Sequence, residues 1–270
     1  MTENTPTSQF ASLVYGTRGV GLHDPAELCH EASRLYPNVA AERLEVLQEL
    51  ERGPELALTL ERSARTYDHR PAVTLPEPAP LGATLADVLA RRRSSREEVL
   101  RPLASRELAA LLRAAYAATP RVEGPARRAV PSAGALYPLE LYVVAAAVTG
   151  LDPGLYHFHP FRGCLSRLGP LDGSGIRAAL VDGALADVTA ALLVVTGVFW
   201  RSRCKYGQRG YRFTLLEAGH LVQNVVLAAA ALGLAALPVG GFYDRRLDGI
   251  VGADGLDEAS LYAVAVGGSL

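Results

Sequence analysis

The sequence predicts an α+β fold, a sheet packed between helices, and three observations carry that prediction. Apolar residues fill 49% of the 270 positions and charged residues 20%, enough for a well-buried core and too apolar for disorder. Along the chain the periodicity reads helix, helix, strand, hairpin, helix, strand, helix, strand, helix, strand, an order that fits a sheet between helices. Finally, no G-x-G-x-x-G follows a strand and no G-x-x-x-x-G-K-[ST] occurs, which argues against a doubly wound dinucleotide fold and a P-loop.

Taken in order, residues 1 to about 12 read as disordered, and three helical stretches follow: Asp24 to Leu35, Ala40 to Glu51 and Glu55 to Ala64. Pro71 through Pro80 carries proline at 76, 78 and 80, a pattern that favours an extended strap. The division therefore falls there, with residues 1–80 as a helical extension and 81–270 as the main domain. Thr84 with Asp87 three residues on is a capping-box-like helix start, and Ser105 caps a helix with Leu108, Leu111, Leu112 and Ala115 on one face. Leu139 to Val148 and Ala191 to Phe199 read as strands. Leu155 to His159 and Cys164 to Leu168 flank Pro160–Gly163 as a hairpin. A long helix over 214–233, a strand around Leu237, a short helix from Asp244 to Val251 and a strand from Leu261 to Val266 complete the set.

Composition narrows the function. A net charge of −1 gives no overall basic field for nucleic acid. Cys29, Cys164 and Cys204 lie far apart without C-x-x-C spacing, so neither a disulfide framework nor a zinc site is expected. The N-terminus lacks the apolar core of a signal peptide. The apolar run Leu215 to Leu237 is broken by Glu217, His220, Gln223 and Asn224, which suits a core or interface helix better than a membrane span. The expectation is a soluble, cytoplasmic protein without a structural metal.

Four constellations can carry chemistry. Arg92, Arg93 and Arg96, with Ser94 between them, offer planar donors matched to phosphate oxygens; read alone, they also fit a solvated helix C-terminus. Pro131, Ser132, Ala133 and Gly134 let a backbone approach a flat ligand, or form an ordinary loop into a strand. The Pro238-Val239-Gly240-Gly241-Phe242 turn ends a strand and can offer a backbone N–H to a flavin N5, or is a plain glycine turn. Lys205 and Tyr206 lie in a charged segment, 201–212, where a partly desolvated lysine can act as base; the alternative is a solvated loop. Glu217, His220 and Asn224 read as a satisfied buried polar stripe on one helix face, of the kind found at a subunit interface, and His157 and His159 as a solvent-facing strand face.

Taken together, RRRSSR (91–96), VPSAGALYPLELYVV (130–144), PGLYHF (153–158), KYGQRGYRFTLLEAGHLVQN (205–224), LGLAALPVGGFYD (232–244) and LYAVAVG (261–267) resemble the nitroreductase-like flavin enzymes, and more narrowly their SagB-type azoline-oxidising branch. The stretch Cys29-His30-Glu31-Ala32-Ser33 resembles the extension that often precedes this domain. The resemblance implies a mainly antiparallel sheet flanked by helices, in a homodimer with FMN at the interface. By this analogy Arg92, Arg93, Ser94 and Arg96 hold the FMN phosphate, ribityl chain and pyrimidine edge. Pro131, Ser132, Ala133 and Gly134 line the flavin from the partner subunit, and Val239, Gly240 and Gly241 line it too, the glycines placing amides near N5. Lys205 and Tyr206 fall on the branch's catalytic Lys-Tyr pair. The implied reaction is oxidation of thiazoline or oxazoline to thiazole or oxazole in a modified precursor peptide, beside a cyclodehydratase complex. A generic NAD(P)H-dependent nitroreductase or quinone reductase and a non-catalytic scaffold are the alternatives. Two departures bear on the choice. The chain has no basic residue after its last strand, and Ala135 and Tyr137 stand where the wider nitroreductases often carry amides, which favours the peptide-modifying branch.

Overall fold

A computed structural model describes residues 25–37, 53, 64–95, 102–119 and 126–268. The expected disorder over 1–12, the expected helices over 40–51 and 55–64 (but for Ala64, which is not helical) and Arg96 lie outside the described residues. In chain order the helices and main strands are α1 (Pro25–Ala32), β1 (Ala72–Thr74), α2 (Leu85–Arg91), β2 (Leu103–Ala104), α3 (Ser105–Tyr116), β3 (Ala118–Thr119), β4 (Arg127–Arg128), β5 (Leu139–Ala145), β6 (Val148–Thr149), β7 (Gly154–His159), β8 (Cys164–Pro170), α4 (Gly173–Ala179), β9 (Ala191–Val198), α5 (Trp200–Tyr206), α6 (Gln208–Leu232), β10 (Leu234–Val239), α7 (Asp244–Val251) and β11 (Glu258–Gly268).

Seven strands form one sheet in the order β1-β8-β7-β5-β9-β11-β10, every neighbouring pair antiparallel. The strap after Pro71 contributes its edge: Ala72, Val73 and Thr74 pair with Ser166, Leu165 and Cys164. Alternation along β5 sorts its side chains. Leu139, Leu141 and Val143 face α3 and α6, packing with Leu111, Leu112 and Leu221. Tyr142 and Val144 face the opposite side, with Ile176 of α4 and Leu247 of α7. Because helices cover both faces, β5 and β9 are buried along their whole length and read in the sequence as continuous apolar runs.

Local signals start the helices where expected. Thr84 Oγ1 accepts from the Asp87 N–H at 3.2 Å while donating to the Asp87 carboxylate at 2.6 Å. α3 starts within one residue of the expected cap: Ala104 occupies the cap position, Ser105 is already the first helical residue, and Glu107 accepts from the Ala104 N–H at 2.8 Å. By length and composition α6 is apolar enough to cross a membrane; in this fold it lies against α3 and the sheet through Leu221, Val225 and Val226. The carbonyls ending α1 are met by α6, Arg209 donating to Ser33 O and Arg212 to His30 O, each at 3.1 Å.

One reading of the sequence is corrected. His157 and His159 are 0% and 7% exposed, because β7 lies inside the sheet between β8 and β5 and the Glu140 carboxylate on β5 bonds to His157 Nε2 at 2.8 Å.

Candidate active site

The charged segment after β9 is helical rather than a loop. Its residues are compatible with a helix through Tyr206, and the break comes at Gly207, whose φ of 54° and ψ of −135° a side chain would oppose. The chain restarts there as α6, so Lys205 and Tyr206 occupy the last turn of a short rigid helix. The Tyr206 ring packs edge-on against Phe213 at 5.0 Å between centroids, and Lys205 Nζ stands 5.7 Å from the centre of the Tyr206 ring.

The Pro131–Gly134 loop meets this pair within one chain. Gly134 has φ 61°, and a Cβ there would stand 2.6 Å from Tyr206 Oη and 3.5 Å from Lys205 Nζ. Ala135 and Tyr137 also have positive φ, at 54° and 47°, which non-glycine residues adopt only where the surroundings hold them. The hold is visible: Ser132 Oγ accepts from the Tyr137 N–H at 2.9 Å, and Tyr137 Oη accepts from the Arg128 N–H at 3.1 Å. Gly134→Ala is expected to lose about 1–2 kcal/mol of stability from the left-handed backbone and the clash. It should also slow turnover about tenfold by displacing Tyr206. Melting temperature and product formation, measured together, check both.

Beneath the loop lies a carboxyl group that the sequence marked only as part of a stripe. Of that stripe, Glu217 is buried, Asn224 donates to Ala114 O at 3.1 Å, and His220 is exposed. Tyr116 Oη donates to Glu217 at 2.7 Å while accepting from the Leu139 N–H at 3.1 Å. The Arg128 guanidinium, buried and with no hydrogen-bond partner for its three nitrogens among the described residues, stacks 4.1 Å over the Tyr116 ring and 4.7 Å over that of Tyr137. Burial pushes the Glu217 carboxyl up to about 7, against the opposing hydrogen bonds of Ser132 and Tyr116 and the charges of Arg128 and Arg201. A raised carboxyl stabilises the fold fully below its ordinary value near 4.5, and that contribution disappears as pH rises through 7. Glu217→Gln should therefore flatten the pH dependence of unfolding free energy between pH 5 and 8, by about 3 kcal/mol across that span. Urea titrations at several pH values measure it.

The arginine cluster builds a second feature. α2 ends with the Arg92 N–H donating to Val88 O at 2.9 Å, and the next segment is pinned to the sheet edge where the Ser95 N–H donates to Ala236 O at 3.2 Å. Arg91, Arg92, Arg93 and Ser95 face Gly233–Ala236 across a cleft of about 450 Å³. Ser94 is exposed beside it. The edge strand β10 forms one wall and runs on to Val239, Gly240 and Gly241, roughly 13 Å past Ala236 at a strand's rise per residue. Nothing lies within 4 Å of where a Gly240 Cβ would stand, so that backbone is open to a flat ligand; Gly241 O accepts from the Val181 N–H at 3.0 Å. Guanidinium donors at one end of an edge strand and bare backbone at the other fit a phosphate and a planar ring, respectively.

Within one chain the two features are far apart. Lys205 and Tyr206 precede α6, whereas Val226 and Ala230 near its other end line the arginine cleft. Eighteen residues of α6, Gln208 to Val225, lie between Tyr206 and Val226, about 27 Å of axis.

This fold and these motifs are those of an oxidoreductase. The chain belongs to the nitroreductase family, whose profile matches residues 89–268 and whose members generally use flavin cofactors. It is 39% identical over 166 residues to MJ1384 of Methanocaldococcus jannaschii, a protein named as a nitroreductase, covering 60% of this chain and 81% of that one. It is 31% identical over 117 residues to the microcin B17-processing protein McbC of Escherichia coli, covering 41% of this chain and 43% of McbC. Among solved structures, one from Ralstonia eutropha described as a nitroreductase superposes with a TM-score of 0.63 at 26% identity, over 76% of this chain and 92% of that one.

Proposed function

We propose that this protein is an FMN-dependent dehydrogenase that oxidises thiazoline or oxazoline rings of a ribosomally made, modified peptide to thiazoles or oxazoles. The observation that carries this reading is the packing of Lys205 and Tyr206 against Gly134: an amine and a hydroxyl converge on one glycine of the loop, where a Cβ would stand 2.6 Å from Tyr206 Oη and 3.5 Å from Lys205 Nζ. The likeness to a peptide-processing protein supports the same substrate class.

Arg92 and Arg93 hold the cofactor phosphate, with Arg96 proposed beside them, and the Val239–Gly241 backbone lines the ring. Ser94 is proposed for the ribityl chain, and Pro131, Ser132, Ala133 and Gly134 for the opposite side of the flavin. When bound, FMN supplies a hydride acceptor and returns its electrons to dioxygen. Lys205, in its neutral form, takes the proton from the ring α-carbon. Tyr206 orients the ring, and the neighbouring carbon loses hydride as the new ring double bond forms. The helix length that separates Lys205 from the arginine cleft calls for a second copy: a homodimer brings one protomer's pair to its partner's cleft. Exposed Leu215 and Leu216 on α6 supply apolar surface for that contact.

The test uses the full-length protein reconstituted with FMN. A bound flavin spectrum, and loss of two hydrogens from a synthetic peptide carrying one thiazoline in air, are expected. A protein that binds no flavin, or that leaves the ring unoxidised, overturns the proposal. The similarity to MJ1384 favours a second reading, NAD(P)H-dependent nitroreduction. Rapid anaerobic bleaching of the flavin by NADPH would favour it.

A further inference from the structure

A second polar cluster, on the sheet face opposite α6, is built from residues spread between positions 65 and 258 and includes side chains that precede the family-matched region. Glu140 on β5 and Glu258 on β11 are each 1% exposed. Glu140 accepts from Arg201 Nη2 at 2.6 Å and from the Arg65 N–H at 2.9 Å, besides its 2.8 Å bond to His157. Glu258 accepts from Tyr142 Oη at 2.9 Å and Thr196 Oγ1 at 2.6 Å and pairs with the Arg65 guanidinium. Tyr67 closes the cluster, its hydroxyl 3.3 Å from that of Tyr142 and its ring 5.0 Å from His157.

The charges explain why residues 65–67 are needed. Two buried carboxylates require two cations. Arg201 serves Glu140 and the Arg65 guanidinium serves Glu258, so without that side chain the Glu258 carboxylate keeps only neutral hydroxyl donors, and Glu140 keeps the Arg65 backbone N–H only as long as residue 65 stays in place. Arg201 is itself weakly tethered: it is 4% exposed, and its Nε and Nη1 have no hydrogen-bond partner among the described residues. Its seat depends on the contact with Glu140. Arg201 is the second residue of α5, and Lys205 lies four residues further on the same helix face, about 6 Å along the axis.

We propose that Arg65, together with Glu140 and Arg201, is a positioning residue for the proposed reaction: the segment before the family-matched region closes a charge cluster whose other arm seats α5, and with it Lys205 and Tyr206. This rests on the Lys205–Tyr206 reading above. The extension thereby contributes to the reacting geometry of its own protomer, whatever else its N-terminal part contacts.

The test compares Arg65→Ala and Arg65→Lys in the full-length, FMN-loaded protein. Arg65 is about 40% exposed, and Arg65→Gln, which keeps more of the side-chain bulk, serves if the alanine variant does not fold. Hydrogen exchange of amides 201–207 should quicken about tenfold in Arg65→Ala while β10 is unchanged. On the thiazoline peptide kcat should fall about tenfold with KM nearly constant, and Arg65→Lys should recover most of both. A variant that melts earlier yet exchanges at α5 and turns over like the parent overturns the proposal. Lys205→Ala with full activity would instead sink the catalytic reading, and exchange at α5 would still decide whether Arg65 seats the helix.

Discussion

Alanine at position 205 is expected to leave a yellow, flavin-loaded protein that forms thiazole about a thousandfold more slowly, within the range that general acid–base groups contribute. Lys205 lies in the last turn of α5 with its Nζ against Gly134 and the Tyr206 ring, about 27 Å from the arginine cleft along α6, so its loss would remove the proposed base without touching the proposed phosphate donors. Lys205→Arg separates two roles. Arginine keeps the positive charge but does not deprotonate in proteins, so it cannot accept the ring proton. If Lys205 is the base, the arginine variant is as slow as the alanine one. If Lys205 only supplies charge to orient a substrate, arginine restores much of the rate, and the proton-transfer role is withdrawn. Tyr206→Phe should be milder, because a hydroxyl that orients a ring leaves the proton acceptor in place. Single-turnover flavin reduction, followed by absorbance, reads the chemical step apart from reoxidation.

The longer strands and most of the helices were legible in the sequence, because each rests on a local signal, whereas the edge strand β1 lay inside what read as a proline strap. The apolar runs of β5 and β9 needed only composition, and the start of α2 only Thr84 and Asp87. Position relative to the sheet was less legible. His157 and His159 share a face by alternation, but alternation does not say whether that face is wet, and the Glu140 that buries His157 sits on another strand. The segment before α6 looked like a loop because its charge masked helix formers and Gly207 breaks it after seven residues. The candidate site was legible as separate motifs. That Gly134 touches Tyr206, seventy-two residues later, is a property of the tertiary fold and leaves no local pattern. Arg128 and Arg65 escaped notice for a related reason: an arginine near polar neighbours reads as surface, and only the packed rings of Tyr116 and Tyr137, or the distant Glu258, reveal their burial partners.

The largest stability effect is expected at Glu140. Glu140→Ala leaves Arg201 and His157 buried at 4% and 0% exposure with their shared carboxylate gone. Breaking a buried ion pair from one side costs about 3–5 kcal/mol, against a total stability of about 5–15 for an ordinary domain. The pH dependence carries the same information with a defined sign. Burial alone would raise the Glu140 carboxyl, but the His157 hydrogen bond, the charges of Arg201 and His157 and the Arg65 N–H outweigh it and hold it at about 2, below its ordinary value near 4.5. A depressed carboxyl stabilises the fold fully above its ordinary value and loses that contribution as pH falls toward the folded one. The parent should thus shed about 3 kcal/mol between pH 4.5 and 2, and Glu140→Gln should lack that slope. The double variant Glu140→Met with Arg201→Met decides what the pair is for. Matched apolar groups remove both charges and their desolvation cost, so much of the stability lost in Glu140→Ala should return. If stability returns while α5 stays loose and turnover stays slow, the pair serves the geometry of Lys205 and Tyr206. If both return together, its role is limited to satisfying charges in the core.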